Sequence, residues 1–373
     1  MKKTFSLLLA LLLSVSLLAM PAMATGNDLL IMSSPNIPFD MTQQHTAEAL
    51  KSLNLFRGSD KGFELDRAPT RMEAIIMLVR LLGKESAIYG DEMGNPYEHP
   101  FTDAPAWQDA NEYLGYAYAT GLTSGKTATT FDPNSPASLR EVMTMTLRAL
   151  NHVDTDTVKI WDIWAEKAAE IGLNADTTGE FTRGDAVMLY WNALYCKVIR
   201  TEEEIAEGLP EQLLHENLAE EWVFAPEAMA LAEKLQAGSI DLEKDDLSTI
   251  MTALYAKMPV TYFSIAHMPL DKNDPDGVKY YIGSSDIDFK EGLAAEPMMM
   301  AQAHSVVLVR LNKGVDAAQA METMKSTVDL RKWVCVGVEP ENVRAVAHGD
   351  LVLLVLDNNN SDAFVNTFLS LAK

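Results

Sequence analysis

Apolar residues recur every three to four positions along most of residues 45–195, the period of helices with one buried face. Ala49, Leu50 and Leu53 form one such stripe, and Ile75, Ile76, Val79 and Leu82 form another. A third apolar run leads up to Leu150, and Ile163, Trp164 and Ala168 belong to a fourth. The stripes are separated by loops carrying Gly58 and Gly62, then Gly121, Gly125 and Pro133. Thr70 stands three residues before Glu73, a pairing that starts a helix with a capping box. Ser138 with Glu141 and Thr182 with Asp185 repeat that spacing. From about residue 241 the pattern changes. Val260–Ala266, Val278–Ile282, Ser305–Leu311, Trp333–Val338, Val343–Ala347 and Leu351–Leu356 read as strands. Asp246–Lys257, Ala317–Val328 and Ala363–Leu371 read as helices. The predicted fold is a mainly α N-terminal domain followed by a C-terminal α+β domain, with a mostly antiparallel sheet carrying helices on one face.

The helical part repeats itself. Sliding the chain by 68 positions lays Phe131 on Phe63, Ser138 on Thr70, Glu141 on Glu73 and Arg148 on Arg80. A slide of 112 lays Thr182-Arg183-Gly184-Asp185 on Thr70-Arg71-Met72-Glu73. The units span about 45–82, 101–150 and 160–195. A helix pair of this size cannot bury its apolar face alone, so the copies should stack around one core. The copies differ in two ways. Leu139, not Arg140, falls opposite Arg71, and one residue is about 100° of helix turn. The third copy lacks the Phe-x-Pro loop and the opening Phe-x-Asp.

Residues 1–24 carry Lys2-Lys3, an apolar run from Leu7 to Met20, and Ala22-Met23-Ala24. These are the parts of a secretory signal, with the mature chain expected to begin near Thr25. The run is shorter than the roughly 20 residues that span a bilayer, and no later stretch is long enough, so no membrane insertion is expected after signal removal. Residues 25–44 form an entry segment in which Pro35 and Pro38 argue against helix. Residues 201–240 form an acidic helical connector, from Glu202 to Glu221, with Leu213, Leu214, Leu218 and Trp222 as a narrow apolar stripe.

The formal charge of the 373 residues is −23. Such a chain repels nucleic acid and anionic lipid, and makes its few arginines conspicuous. Cys196 and Cys335 lie in apolar surroundings in different predicted domains, so two buried free thiols are expected rather than a bridge. No His or Cys pair has metal-ligand spacing, and no cofactor is expected.

The middle repeat reads Phe101-Thr102-Asp103, Trp107, Ala117, Gly121-Leu122, Gly125, Phe131-Asp132-Pro133 and Ser138-Leu139-Arg140-Glu141. It resembles an S-layer homology domain, the module that docks exported bacterial proteins onto cell-wall polysaccharide. The resemblance implies a pseudo-threefold bundle of three helix-loop-helix repeats, with grooves between repeats that present arginines to an acidic secondary cell-wall polysaccharide. A guanidinium matches a carboxylate through two parallel hydrogen bonds, and helix N-termini favour anions. Carried over by position, the polysaccharide-binding residues are Arg71 and Arg183 with their caps Thr70 and Thr182, the displaced Arg140, and Trp107 and Trp164 as platforms for a sugar ring. The same residues could instead start helices and pair with neighbouring acids. Gly121, Gly125 and Gly172 are expected to serve turns.

Ala295-Glu296-Pro297-Met298-Met299, Ala303-His304-Ser305-Val306-Val307-Leu308, Arg331-Lys332-Trp333 and Gly349-Asp350-Leu351-Val352 resemble an exported family of unknown function from Gram-positive anaerobes. No Gly-x-Ser-x-Gly or His-Glu-x-x-His occurs, so catalysis would need His304, His348 and Asp350 to converge. The Asp271–Gly277 loop departs from a calcium loop and reads as a solvated turn. The expectation is a non-enzymatic, secreted cell-wall and cell-surface protein anchored by its repeats and displaying its C-terminal domain. The alternatives are an extracellular enzyme with its site in that domain, and a degenerate repeat scaffold that binds another surface protein.

Overall fold

The computed structural model describes residues 39–372, apart from 60, 91–93, 95, 108, 156, 175–178, 259–264 and 299–301. The expected signal at 1–24 lies outside the described residues. The entry segment was expected to be non-helical, yet its last residues open the first helix. The prolines precede that helix rather than interrupt it, and a proline just ahead of a helix is tolerated.

The first repeat contributes α1 (Phe39–Ser52) and α2 (Arg71–Leu81), followed by a 3₁₀ turn at Glu85–Tyr89. The second contributes α3 (Ala110–Ala119) and α4 (Leu139–Ala149), and the third α5 (Ile160–Ile171) and α6 (Arg183–Leu194). Each second helix begins with a reciprocal capping box, Thr70 with Glu73, Ser138 with Glu141 and Thr182 with Asp185. Each such cap contributes about 1 kcal/mol. Asp103 of the Phe-x-Asp motif accepts from the backbone N–H groups of Phe131 and Asp132, both at 2.8 Å, so it ties down the loop that leads into α4. Gly125 turns that loop with φ +82°, and a Cβ there would lie 2.3 Å from the Phe101 ring.

The acidic connector folds into β1 (Lys197–Val198), α7 (Glu202–Ala206), β2 (Gln212–Leu213), α8 (Leu214–Glu220) and α9 (Ala228–Gln236). Helix α9 runs against α1, and its Ala232 and Leu235 are fully buried.

The C-terminal part comprises α10 (Leu247–Lys257), β3 (Ile265–Pro269), α11 (Pro275–Ile282), β4 (Phe289–Pro297), β5 (His304–Leu311), α12 (Ala317–Thr327), β6 (Val343–His348), β7 (Leu351–Asp357) and α13 (Ser361–Leu371). The sheet order is β3-β4-β5-β7-β6, antiparallel throughout. Both faces are covered, not one. Leu254 of α10 and Phe364 and Phe368 of α13 share a core with Val306, Leu308, Leu353 and Val355. Val278 and Ile282 of α11 and Ala320 and Met324 of α12 share another with Val307, Val309, Val352 and Leu354. The unbroken apolar runs of β5 and β7 fit strands buried on both faces.

Two strand assignments need correction. Val278–Ile282 is helical, because Asp274 caps it by accepting from Gly277 N–H at 3.0 Å and Pro275 occupies its first turn. Trp333–Val338 is irregular, and Cys335 within it is exposed at φ +62° rather than buried. Of the first expected strand, Ile265 and Ala266 lie in β3 (Ile265–Pro269), and 259–264 lie outside the described residues. The two thiols are free.

The larger core is continuous from the repeats to the sheet: it contains Leu50, Leu78, Leu114, Leu147 and Leu189 as well as Leu254, Val306 and Phe364. Lys257 of α10 ion-pairs with Glu48 of α1, and Lys51 donates to the carbonyl of Met258 at 2.7 Å.

Candidate functional site

The seams between repeats are built from the start of one repeat's second helix and the loop of the next. Arg71 N–H donates to the Ser135 carbonyl at 2.9 Å, and Met72 N–H to Pro133 at 3.0 Å. Arg183 N–H donates to the Arg67 carbonyl at 2.8 Å, and Gly184 N–H to Leu65 at 2.9 Å. Ser135 and Pro133 are the 68-residue counterparts of Arg67 and Leu65, so both seams use equivalent atoms.

The arginine side chains follow the same rule. Arg71 Nε donates to the Phe131 carbonyl at 2.8 Å, its guanidinium lies 4.7 Å from the Phe131 ring centroid, and it ion-pairs with Glu141. Arg183 Nε donates to the Phe63 carbonyl at 2.9 Å, stacks 5.4 Å from the Phe56 ring and lies 3.6 Å from Glu73. Both residues are buried, 6% and 5% exposed. Their acids are the capping-box glutamates, so one carboxylate both starts a helix and receives an arginine from another repeat. Burial pushes the Glu73 carboxyl up. Arg67, the Thr70 N–H and Arg183 outweigh it and hold it below its ordinary value. Burial pulls Arg183 below the ordinary guanidinium value, with Glu73 acting against it.

The third seam is made differently. Leu139 occupies the position of Arg71 in the slide and packs against the core. Arg140, one residue on, reaches the surface. It donates from Nε and a terminal nitrogen to the Trp161 carbonyl at 3.0 and 2.7 Å, and stacks 4.1 Å from the Trp161 ring centroid. Asp162 lies 3.5 Å away. The Arg140 side chain and Trp161 are each 40% exposed. Trp161 was not among the residues expected from the sequence, where Trp164 was chosen.

The aromatic candidates divide. Trp107 is 44% exposed and leans on Tyr113, whose hydroxyl donates to Glu85 at 2.6 Å. Trp164 is partly buried against the main core. Thr70 and Thr182 accept from the N–H groups of Glu73 and Asp185 at 3.1 and 3.2 Å. Arg67, also unanticipated, forks between Glu64 and Glu73. Arg140 on Trp161 is thus exposed, as is Trp107, while Arg71 and Arg183 are buried in the seams.

In the C-terminal part the histidines separate. His304 is fully buried, with Nδ1 2.7 Å from Asp357 and Nε2 2.7 Å from the Tyr255 hydroxyl. His348 and Asp350 lie at the opposite end of β5 and β7, where Leu351 pairs with Arg310 and with His348. The two ends are six residue steps of strand apart, about 20 Å. His304, His348 and Asp350 do not form one Ser-His-Asp site. Among the described residues no cluster of His, Cys, Asp or Glu has the geometry of a metal site. No described helix is long and apolar enough to cross a membrane.

Residues 100–143 match the S-layer homology domain. The chain is also similar to the Middle cell wall protein of Brevibacillus brevis (strain 47), 25% identical over 199 residues. That alignment covers 52% of this chain and 18% of the relative, so the chain spans only a small part of that protein's length. Residues 100–143 are thus an S-layer homology domain, and the protein is located at the cell wall and cell surface.

Proposed function

We propose that the repeats hold this chain non-covalently to an acidic secondary cell-wall polysaccharide, and that the C-terminal α+β part is displayed from that anchor. The observation that carries the reading is the match of the middle repeat, residues 100–143, to the S-layer homology domain. The residues proposed for contact with the glycan are Arg140 and Trp107, which are accessible. Arg71, Arg183, Thr70 and Thr182 hold two of the seams between repeats, and Trp164 packs on the core. With Nε and one terminal nitrogen given to the Trp161 carbonyl, the stacked guanidinium of Arg140 offers its other terminal nitrogen to a carboxylate-bearing sugar. Trp107 supplies an apolar face for a pyranose ring.

Co-sedimentation tests this. The full-length secreted protein should pellet with purified wall sacculi that retain their polysaccharide, and stay in solution with sacculi stripped of it. Equal pelleting with both preparations would defeat the proposal.

A second reading has one observation in its favour. Arg71 and Arg183 are occupied by Glu141 and Glu73, which suits a scaffold whose repeats bind another surface protein. Loss of wall pelleting alongside capture of a partner on the same face would favour it.

A further inference from the structure

Three of the four C-terminal motifs read from the sequence meet at one buried point. Glu296 comes from β4, Ser305 from β5, and Lys332-Trp333 from the irregular segment after α12. Lys332 Nζ lies 2.5 Å from Glu296 Oε1 and 3.3 Å from Ser305 Oγ. The same nitrogen lies 4.6, 5.4 and 5.2 Å from the ring centroids of Tyr280, Tyr281 and Trp333. Tyr280 and Tyr281 are supplied by α11, and their rings meet edge to face at 4.9 Å. The Lys332 side chain is 1% exposed and that of Glu296 6%.

This is an expensive arrangement for mere stability. Desolvating two charges opposes folding, and well-packed apolar residues of the same volume usually do as well or better. Three aromatic rings and one carboxylate around an ammonium are, however, the parts from which proteins build sites for alkylammonium ligands. Here the ammonium belongs to the chain itself.

Room for a larger ligand lies next door. A cavity of about 480 Å³ is lined by Gln302, Ala303, Val336, Gly337 and Asp357 through Asn360. Ala303 precedes Ser305 by two residues, and Val336 follows Trp333 by three, so the cavity and the box share both of these segments. Its lining holds the amides of Gln302 and Asn358–Asn360 and no lysine or arginine, and its carboxylate, Asp357, is engaged by His304, so it suits the remainder of a ligand with hydrogen-bonding substituents.

We propose that this box is a recognition site for ligands carrying a primary or methylated alkylammonium group, with Lys332 as the resident occupant that such a ligand displaces. The remainder of the ligand then lies in the neighbouring cavity. The proposal is independent of wall anchoring by the repeats. A tethered side chain competes at an effective concentration in the millimolar range, so a small free amine should displace it at about ten times that, tens of millimolar.

The experiment uses the full-length protein and n-propylammonium chloride, with sodium chloride at equal ionic strength as control. Lys332→Ala should melt at a lower temperature than the parent, and propylammonium should restore a large part of the loss while sodium chloride does not. The double variant Lys332→Ala, Glu296→Gln should gain nothing from the amine. Equal melting of Lys332→Ala in the two salts overturns the proposal, as does equal rescue of the double variant. Should Lys332→Ala not fold, hydrogen exchange of residues 329–338 in the unaltered protein decides. Propylammonium should raise exchange there relative to sodium chloride, and an unchanged rate overturns the proposal.

Discussion

Arg183, at the start of the third repeat's second helix, lies 3.6 Å from Glu73, the capping acid of the first repeat. The first repeat treats the second in the same way, through Arg71 and Glu141. Helix initiation and repeat docking thus share one carboxylate at each of these two seams. The order of repeats around the bundle is written into the motif itself.

Arg71→Ala and Arg183→Ala should each destabilise the fold. Arg71→Ala leaves Glu141 without its arginine, at a cost of about 3–5 kcal/mol, whereas Arg183→Ala leaves Glu73 still held by Arg67 and costs mainly the bond to the Phe63 carbonyl and the stacking on Phe56. Urea unfolding of each variant measures it; a loss under about 1 kcal/mol would mean that the pairs contribute little.

Arg140→Ala and Trp107→Ala should do the opposite. Both side chains are 40% or more exposed, so stability should stay within about 0.5 kcal/mol of the parent. Wall pelleting should fall severalfold in each and be lost in the pair. Undiminished pelleting of the double variant would remove these two residues from the glycan site.

Stability should decline on mild acidification. Burial holds the imidazoles of His45 and His152 below their ordinary value. Between the folded values and the unfolded value near 6.5, the unfolded chain binds more protons, so stability is fully present above about pH 6.5 and is lost as pH falls. The slope is at most about 1.4 kcal/mol per pH unit for each histidine. Thermal melts from pH 7.5 to 5 measure it, and His152→Leu should flatten the curve. A second decline, below about pH 4, should follow from Glu73 and Asp357, whose carboxyls are held below their ordinary values.

Residues 25–200 alone should fold poorly. Helix α1 buries its outer side against α9 and α10, and Glu48 of α1 would lose Lys257. Calorimetry of the whole chain should show one transition, and the fragment should expose apolar surface detectable by dye binding. A sharp, independent transition in the fragment would contradict this.

The thiols should differ sharply. Cys335 is exposed, whereas burial pushes the Cys196 thiol up to about 11. Iodoacetamide at neutral pH should alkylate one residue per native chain, at Cys335, and both only after denaturation. Labelling of Cys196 in the native protein would show that the third repeat opens readily.

What was legible in the sequence was local. The capping boxes need only four consecutive positions, and all three appear where the Thr/Ser-to-acid spacing put them. Strands β5 and β7 were legible because their apolar runs are unbroken. Strand β4 was missed, since Lys290, Glu291 and Gly292 interrupt its pattern. Helix α11 was misread because Val278, Tyr280, Tyr281 and Ile282 look like strand residues, while Asp274-Pro275 ahead of them is a helix start. The fate of the arginines was not legible. Glu141 is 70 positions from Arg71, and nothing local marks the two as partners. Trp161 was passed over for Trp164 because the repeat alignment favours the latter, whereas the one-residue displacement of Arg140 selects the former.

Helix α1 is the first helix of the first repeat and also the floor under α9 and α10. A module with such a two-sided helix is not a cassette that can be grafted onto arbitrary cargo. Any recombinant exchange of the C-terminal part would have to carry along the matching outer side of α1, so the repeats and the C-terminal part of this chain are constrained to diverge together.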